Sequence, residues 1–242
     1  MISIVVPTYN EEKNIERCLR ALANQTVPRD QMEIIVVDGD SKDRTREIAA
    51  ELADVVMIQT SEGVGGARND GFKVAKYEIV ATTDADCEPS PRWVESVLKR
   101  FEKHKVVAVT GILKPFDWDK MNWLEVLVYR AVFEASNLLL MILAALGQYH
   151  LCGANSAFKR DIFNELGGYM PLAYADDVEI FKRVKKKGSV ELSGEMQINY
   201  SVRRIKKIGL MHYFYLILKM DTEIMLLGKH PMKGNYARMD YD

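Results

Sequence analysis

Asp84 and Asp86, two residues apart in Thr83-Asp84-Ala85-Asp86, are the most chemically loaded pair in this sequence. That spacing lets both carboxylates approach one hard cation from a loop, and a divalent ion shared with a diphosphate would offset their repulsion. Glu88 continues the alternation as a third oxygen donor, while a pair of turn caps ahead of Pro89 and Pro91 is the plain alternative. Asp38 and Asp40 end an apolar run in the same manner. A carboxylate there can accept hydrogen bonds from a nucleobase imide or a ribose hydroxyl, or else Asp40 or Ser41 simply N-caps the next helix. Gly63-Val64-Gly65-Gly66, followed by Ala67-Arg68-Asn69-Asp70-Gly71, can bring backbone N–H groups and Arg68 to a phosphate or a base. The spacing matches neither GxGxxG nor GxxxxGK[ST], so neither a dinucleotide fold nor a P-loop is expected. Asp176-Asp177 reads as a helix cap, or as a site carboxylate that takes a proton from an acceptor hydroxyl.

The elements that must position these residues are legible as an alternation. Residues 2–6 are a β-rich apolar run, and Asn10 followed by Glu11 and Glu12 predicts an N-cap and a helix from about residue 11. Ile15, Cys18, Leu19 and Leu22 give that helix one buried stripe. Strands are expected at 34–37, 55–58, 79–83 and 106–109. Helices are expected after Ser41, from Ala67 and over 93–101, with 61–66 a loop. Such a pattern means a mostly parallel sheet with helices on both faces, and ligands then lie at the carboxyl ends of the strands. Thr8-Tyr9-Asn10-Glu11, Asp38-Gly39-Asp40 and Asp84 to Glu88 all stand there. Past Gly111 the alternation stops. A long helix is expected over 122–146, whose unbroken apolar stretch, 138–146, is too short to span a bilayer. An extended segment at 151–158, short helices at 161–166 and 176–187, and an apolar helix over 210–227 complete the chain.

With 48% hydrophobic and 28% charged residues the chain has a soluble globular composition, and its length suits one elaborated α/β domain. Cys18, Cys87 and Cys152 are odd in number and widely spaced, which argues against a disulfide framework or a structural zinc site and fits a reducing, cytoplasmic setting. The opening residues read as a strand and not as a signal peptide. The net charge of −1 hides an asymmetry: residues 181–242 hold 13 Lys+Arg against 6 Asp+Glu. A basic tail behind a carboxylate-rich front suggests an anionic partner such as a membrane surface or phosphate.

Taken in order, Pro7-Thr8-Tyr9-Asn10-Glu11, Val36-Val37-Asp38-Gly39-Asp40-Ser41, Ala67-Arg68-Asn69-Asp70-Gly71, Thr83-Asp84-Ala85-Asp86, Gly167-Gly168-Tyr169 and Asp176-Asp177-Val178-Glu179 resemble the glycosyltransferase family-two pattern on the GT-A fold, over about residues 1–209. The resemblance implies an inverting transfer of a sugar from a nucleoside diphosphate sugar, UDP- or GDP-linked, assisted by Mg²⁺ or Mn²⁺. It matches Pro7, Tyr9 and Glu11 to positions around the nucleotide, Asp38 to the nucleobase, Asp40 to the ribose and Arg68 to a nucleotide-contacting arginine. Asp84 and Asp86 match the DxD-type pair, with Asp86 the principal metal ligand, and Asp177 matches the base. Asp176 stands where Glu is usual. The Gln-x-x-Arg-Trp motif of processive synthases is absent; Ser201-Val202-Arg203-Arg204-Ile205-Lys206-Lys207 stands there instead, which implies one sugar per event. Arg203 and Arg204 can cap a diphosphate or hold a lipid phosphate, or form a solvated face.

Two other functions stay open on the residues alone. A sugar-phosphate nucleotidyltransferase shares the architecture but calls for a glycine-rich loop after the first strand, where Pro7-Thr8-Tyr9-Asn10 stands; the other is a non-catalytic nucleotide-sugar or glycan-binding module. His150 and His212 are lone imidazoles, more often structural than metal-ligating. Trp93, Trp118 and Trp123 read as packing. The catalytic domain is expected over 1–209, divided into a nucleotide half (1–111) and an acceptor half (112–209). Residues 210–242 are expected to form an amphipathic helix and tail. Its partner is expected to be the inner face of a membrane, where a glycan or lipid-linked acceptor would be met. The alternatives are a homodimer interface, or packing of helices 122–146 and 210–227 on each other. No nucleic-acid partner is expected.

Overall fold

The computed structural model describes residues 1–118, 121–145, 147, 151–172 and 174–229. β1 (Ile2–Thr8) leads through a turn into α1 (Ile15–Ala23), which buries the expected Ile15, Cys18, Leu19 and Leu22. β2 (Met32–Asp38), α2 (Thr45–Ala50), β3 (Val55–Ile58), α3 (Gly63–Val74) and β4 (Ile79–Thr83) follow. A short β5 (Cys87–Pro89), α4 (Trp93–Phe101), β6 (Val106–Phe116), α5 (Trp123–Ala145), β7 (Asn155–Lys159) and α6 (Arg160–Glu165) come next. The chain closes with α7 (Asp176–Val184), β8 (Ser189–Ser201), α8 (Arg203–Ile208) and α9 (Leu210–Asp221), the last running on through a π-helical turn at Thr222–Leu226.

The eight strands form one sheet in the order β3-β2-β1-β4-β7-β6-β8-β5. Pairings among β3, β2, β1 and β4 are parallel, as the alternation predicts. The second half is mixed: β7 runs antiparallel to both β4 and β6, β8 parallel to β6, and β5 antiparallel to β8. Helices cover both faces. One core gathers α1 and α4 side chains, Trp93 and Leu19 among them; the other gathers Phe72, Phe158, Phe163 and Tyr169, whose rings meet edge to face. Gly71 lets α3 lie directly on the sheet, since a Cβ there would fall 2.4 Å from Val5 Cγ1. Pro7 is buried inside the central strand β1. Thr8 C=O accepts from Gly39 N–H on the β2 side, so alternation turns the Pro7 nitrogen toward β4, where pairing has already ended at Val5.

Several expectations need correction. The first helix begins at Ile15 and not at Glu11, because Asn10 adopts a left-handed φ of 52° and bonds sideways: its N–H donates to Ser41 Oγ and its Oδ1 accepts from Lys42 N–H. Neither Asp40 nor Ser41 caps α2; the carboxylate of Asp43 takes Thr45 N–H and Oγ1–H instead. Helix α3 starts at Gly63, inside the expected glycine loop. β6 extends to Phe116, and β5 and β8 were not expected at all. Among the described residues α5 and α9 do not pack face to face: α5 lies on β6 and β8, while α9 lies on α8 and the π turn.

Candidate active site

The carboxyl ends of β1, β2 and β4 point to one edge of the sheet, and their loops are stitched together there. Glu11 N–H donates to Thr45 Oγ1 at 2.7 Å, Glu12 N–H to Asp43, and Arg44 N–H to Glu12. Asn10 and Asp40 (φ 70°) hold left-handed backbone in these loops, a conformation Asn and Asp tolerate better than most residues. Asp38 is fully buried and turns both oxygens to Ser41, accepting its N–H at 2.8 Å and its Oγ–H at 2.5 Å, with Arg46 Nε 3.6 Å away. Asp40 is exposed and pairs with Lys42. Tyr9 lies against Gly39, where an added Cβ would stand 3.4 Å from its ring.

Two charge clusters follow β4. In the first, Arg203 at the start of α8 reaches back to Glu11 and to Asp86, with Nη2 3.1 Å from Asp86 Oδ2. Burial pushes Asp86 up to about 6; Arg203 opposes that shift, and Asp84 and Glu11 add to it. In the second, one buried guanidinium serves two loops: Arg68 Nη2 donates to Asp84 Oδ1 at 2.8 Å, and Arg68 Nη1 lies 3.7 Å from Asp176 Oδ2. Tyr169 lies beneath, its ring centroid 5.7 Å from the Arg68 guanidinium carbon. Burial also pushes Asp176 up to about 6, against the pull of Arg68 and with repulsion from Asp177. Two backbone groups hold Asp177, Oδ2 accepting Gly153 N–H and Oδ1 accepting Val178 N–H, both at 2.9 Å. The residue before the pair, Ala175, sits at φ 54°, a left-handed backbone that a non-glycine residue keeps only where its surroundings hold it.

The structure thus brings Glu11, Asp84, Asp86, Arg68, Asp176 and Arg203 together and seats Asp177 beside them, whereas Asp38 and Asp40 stand apart on the β2 side. Glu88 lies in β5 opposite Asn199. Among the described residues no three His, Cys, Asp or Glu side chains converge as a ready-made metal cage. A half-buried carboxylate with a raised proton affinity and a second one two residues away still fit Mg²⁺ or Mn²⁺, which are commonly held by one or two carboxylates plus substrate phosphates. The Arg204 side chain and His150 lie outside the described residues; His212 is exposed on α9. Burial pushes all three thiols up, Cys152 to about 12, so they remain protonated and unreactive. Sequence reading passed over Asn69, which clamps the backbone of Tyr169 through both amide atoms, and Gly153, whose N–H orients Asp177. Asn69 stands beside Arg68 on a helix, a position that hints at a shared site; nothing local marks Gly153.

The sequence profile of glycosyl transferase family 2 matches residues 3–167, more than half of the chain. The chain belongs to glycosyltransferase family 2. Its relatives include glycosyltransferase AglE of Haloferax volcanii, 36% identical over 39% of this chain and 33% of that protein. Probable glycosyltransferase YdaM of Bacillus subtilis is 30% identical over 77% of this chain and 47% of its own length. The chain therefore spans about half or less of these curated relatives. Among solved structures, the mannosyltransferase PcManGT of Pyrobaculum calidifontis, in complex with GDP-Man and Mn²⁺, superimposes with a TM-score of 0.65 and 26% identity, over 83% of this chain and 56% of that one. S. aureus TarS 1-349 with UDP-GlcNAc gives 0.63 at 19% identity, over 83% and 58%, a likeness of fold. The family 2 domain is a mixed α/β sheet of GT-A type, and the motif-bearing loops described above all lie within or just beyond the matched span.

Proposed function

We propose that this family 2 domain transfers one sugar, with inversion, from a UDP- or GDP-sugar to an acceptor hydroxyl or a lipid phosphate. One observation carries the reading: a single buried arginine, Arg68, bridges Asp84 of the Asp-Ala-Asp turn and Asp176 of the acidic pair, which supports leaving-group and acceptor chemistry at one site. Asp86 and Asp84 would hold a divalent ion, which supplies positive charge to the departing diphosphate. Arg203 can turn its guanidinium from Asp86 to the same phosphates, for which its planar fork is suited. Asp177 accepts the proton of the attacking oxygen. Its two backbone hydrogen bonds fix the carboxylate and leave lone pairs for the acceptor. Asp176 and Arg68 position that loop, and Asp38, Asp40, Tyr9, Glu11 and Pro7 shape the nucleoside side.

Thermal shift with UDP-, GDP- and dTDP-sugars, with and without Mn²⁺, tests the donor half, since a ligand at about 100 times its Kd adds roughly 2.7 kcal/mol. Release of free nucleoside diphosphate tests the chemistry. A donor that stabilises the protein but is never cleaved would leave a binding module, and release of pyrophosphate from a nucleoside triphosphate would favour a nucleotidyltransferase.

A further inference from the structure

α5 has 23 residues and is apolar enough to cross a membrane, yet only 11% of its most apolar window is buried within the protein. It is rooted at its middle and just beyond its C-terminal end. Phe133 and Asn137 are buried, and Asn137 Nδ2 donates to Leu113 C=O of β6 at 2.8 Å. Beyond its end at Ala145, Leu151 is already fully buried, and six Cα steps reach about 20 Å at most, short of the roughly 30 Å hydrocarbon core. Lys185 Nζ further holds Gly147 C=O. A helix so tethered cannot pass through a bilayer and return its chain to β7.

Its outward face is nonetheless built for an apolar surrounding. Leu124, Val128, Ala131, Ala135, Leu138 and Ile142 recur at steps of four and three along the exposed side, and Glu125, Arg130 and Glu134 fall off that stripe. α9 exposes Met211, Tyr215 and Leu218 at the same kind of spacing. The two helices leave the sheet together: β6 and β8 are adjacent and parallel, with Phe116 opposite Ser201, and Asp117 accepts from Ser201 Oγ and, through its C=O, from Lys206 Nζ. α8 and α9 together, residues 203–221, carry five Lys or Arg against one acidic residue, Asp221 at the far end of α9. A second copy seated on this face would oppose basic side chains to basic side chains, whereas an anionic lipid surface complements them.

We propose that α5 and α9, with basic α8 at their root, form one membrane-docking face, α5 lying in the plane of an anionic leaflet. Because Arg203 of α8 also reaches Asp86, that face adjoins the cleft and would present it to a lipid-borne acceptor; this last step rests on the sugar-transfer reading, and docking itself does not.

The test is co-sedimentation with phosphatidylcholine vesicles, with and without phosphatidylglycerol, in the absence of nucleotide. Wild type should pellet with the anionic vesicles and be released by high salt. Leu124→Glu/Leu138→Glu/Ile142→Glu and, separately, Lys207→Glu/Lys219→Glu should each partition at least about tenfold less. Both variants should keep the wild-type thermal shift with a donor sugar and Mn²⁺, which separates lost docking from lost folding. Wild type that stays in the supernatant at low salt overturns the proposal. So does a wild-type dimer that the triple variant dissociates, or protein that resists extraction by both salt and alkali. Loss of donor binding in wild type would instead sink the transfer reading and leave docking standing.

Discussion

Asp86 offers the sharpest quantitative test, because its charge is disfavoured in the folded protein. An ordinary value of 3.8 against about 6 in the folded state makes the folded protein the better proton binder. The stability this gives is fully present below pH 3.8 and is lost as pH rises through 6. Integrated from pH 5 to pH 8, the loss is about 1.4 kcal/mol. Asp86→Asn has the same shape, keeps a polar group near Arg203 and has no such titration, while Arg203 retains its pair with Glu11. Urea denaturation of both proteins without divalent ions should therefore show the variant gaining about 1 to 1.5 kcal/mol on wild type between pH 5 and pH 8. Asp176, shifted in the same range, remains in both and cancels. A divalent ion relieves the same penalty, so Mn²⁺ with donor should stabilise wild type and leave the variant nearly unmoved. A variant whose advantage is constant or shrinks with rising pH would refute the account of Asp86 as a desolvated, ion-seeking carboxylate.

Asp177→Asn should lower transfer by at least about 10²-fold while donor affinity survives, and a dead Asp176→Asn beside an active Asp177→Asn, measured by nucleoside diphosphate release with acceptor present, would reverse the roles. Arg203→Ala should weaken donor binding more than Arg203→Lys does, since Lys keeps the charge but not the fork; equal isothermal titration curves for the two would count against bidentate phosphate contact. Gly71→Ala should cost about 1–3 kcal/mol in chemical denaturation, because the new Cβ meets Val5 and Val37 within the core, with no change in m-value. Asn69→Ala frees the Tyr169 backbone at both its N–H and its C=O and should cost about 1–3 kcal/mol, with proteolysis first appearing near Gly167-Gly168.

Where local pattern and tertiary demand agree, the fold is legible from sequence. β1, β4 and α4 fall where continuous apolar runs or a 3.6-residue period place them, because each is buried on the face its own sequence marks. β8 was missed for a physical reason. Its alternation breaks where the register against β6 jumps from Gly111–Ser193 to Ile112–Gln197, so two short half-patterns conceal one thirteen-residue strand. The length of α5 was legible, but its exposure was not, since apolar residues ordinarily signal a core.

The site divides in the same way. Asp84 and Asp86 could be found because a strand end and a two-residue spacing are local facts. The linkage of Asp84 to Asp176 is not local, as it depends on a residue that looks like loop filler. Gly65 lies in the first turn of α3, and a Cβ there would stand 2.4 Å from Asp176 Oδ2 and 3.1 Å from Tyr169 Cβ. Glycine in a helix costs about 1 kcal/mol relative to alanine, so its presence inside α3 calls for a tertiary cause. That cause is the close approach of α7 to α3, which brings the acidic pair within reach of Arg68, one turn further along the same helix. The glycine run that reads as a flexible phosphate loop is thus a helix start, and its Gly65 is bare where the acidic pair comes closest, so that one arginine can hold both Asp84 and Asp176.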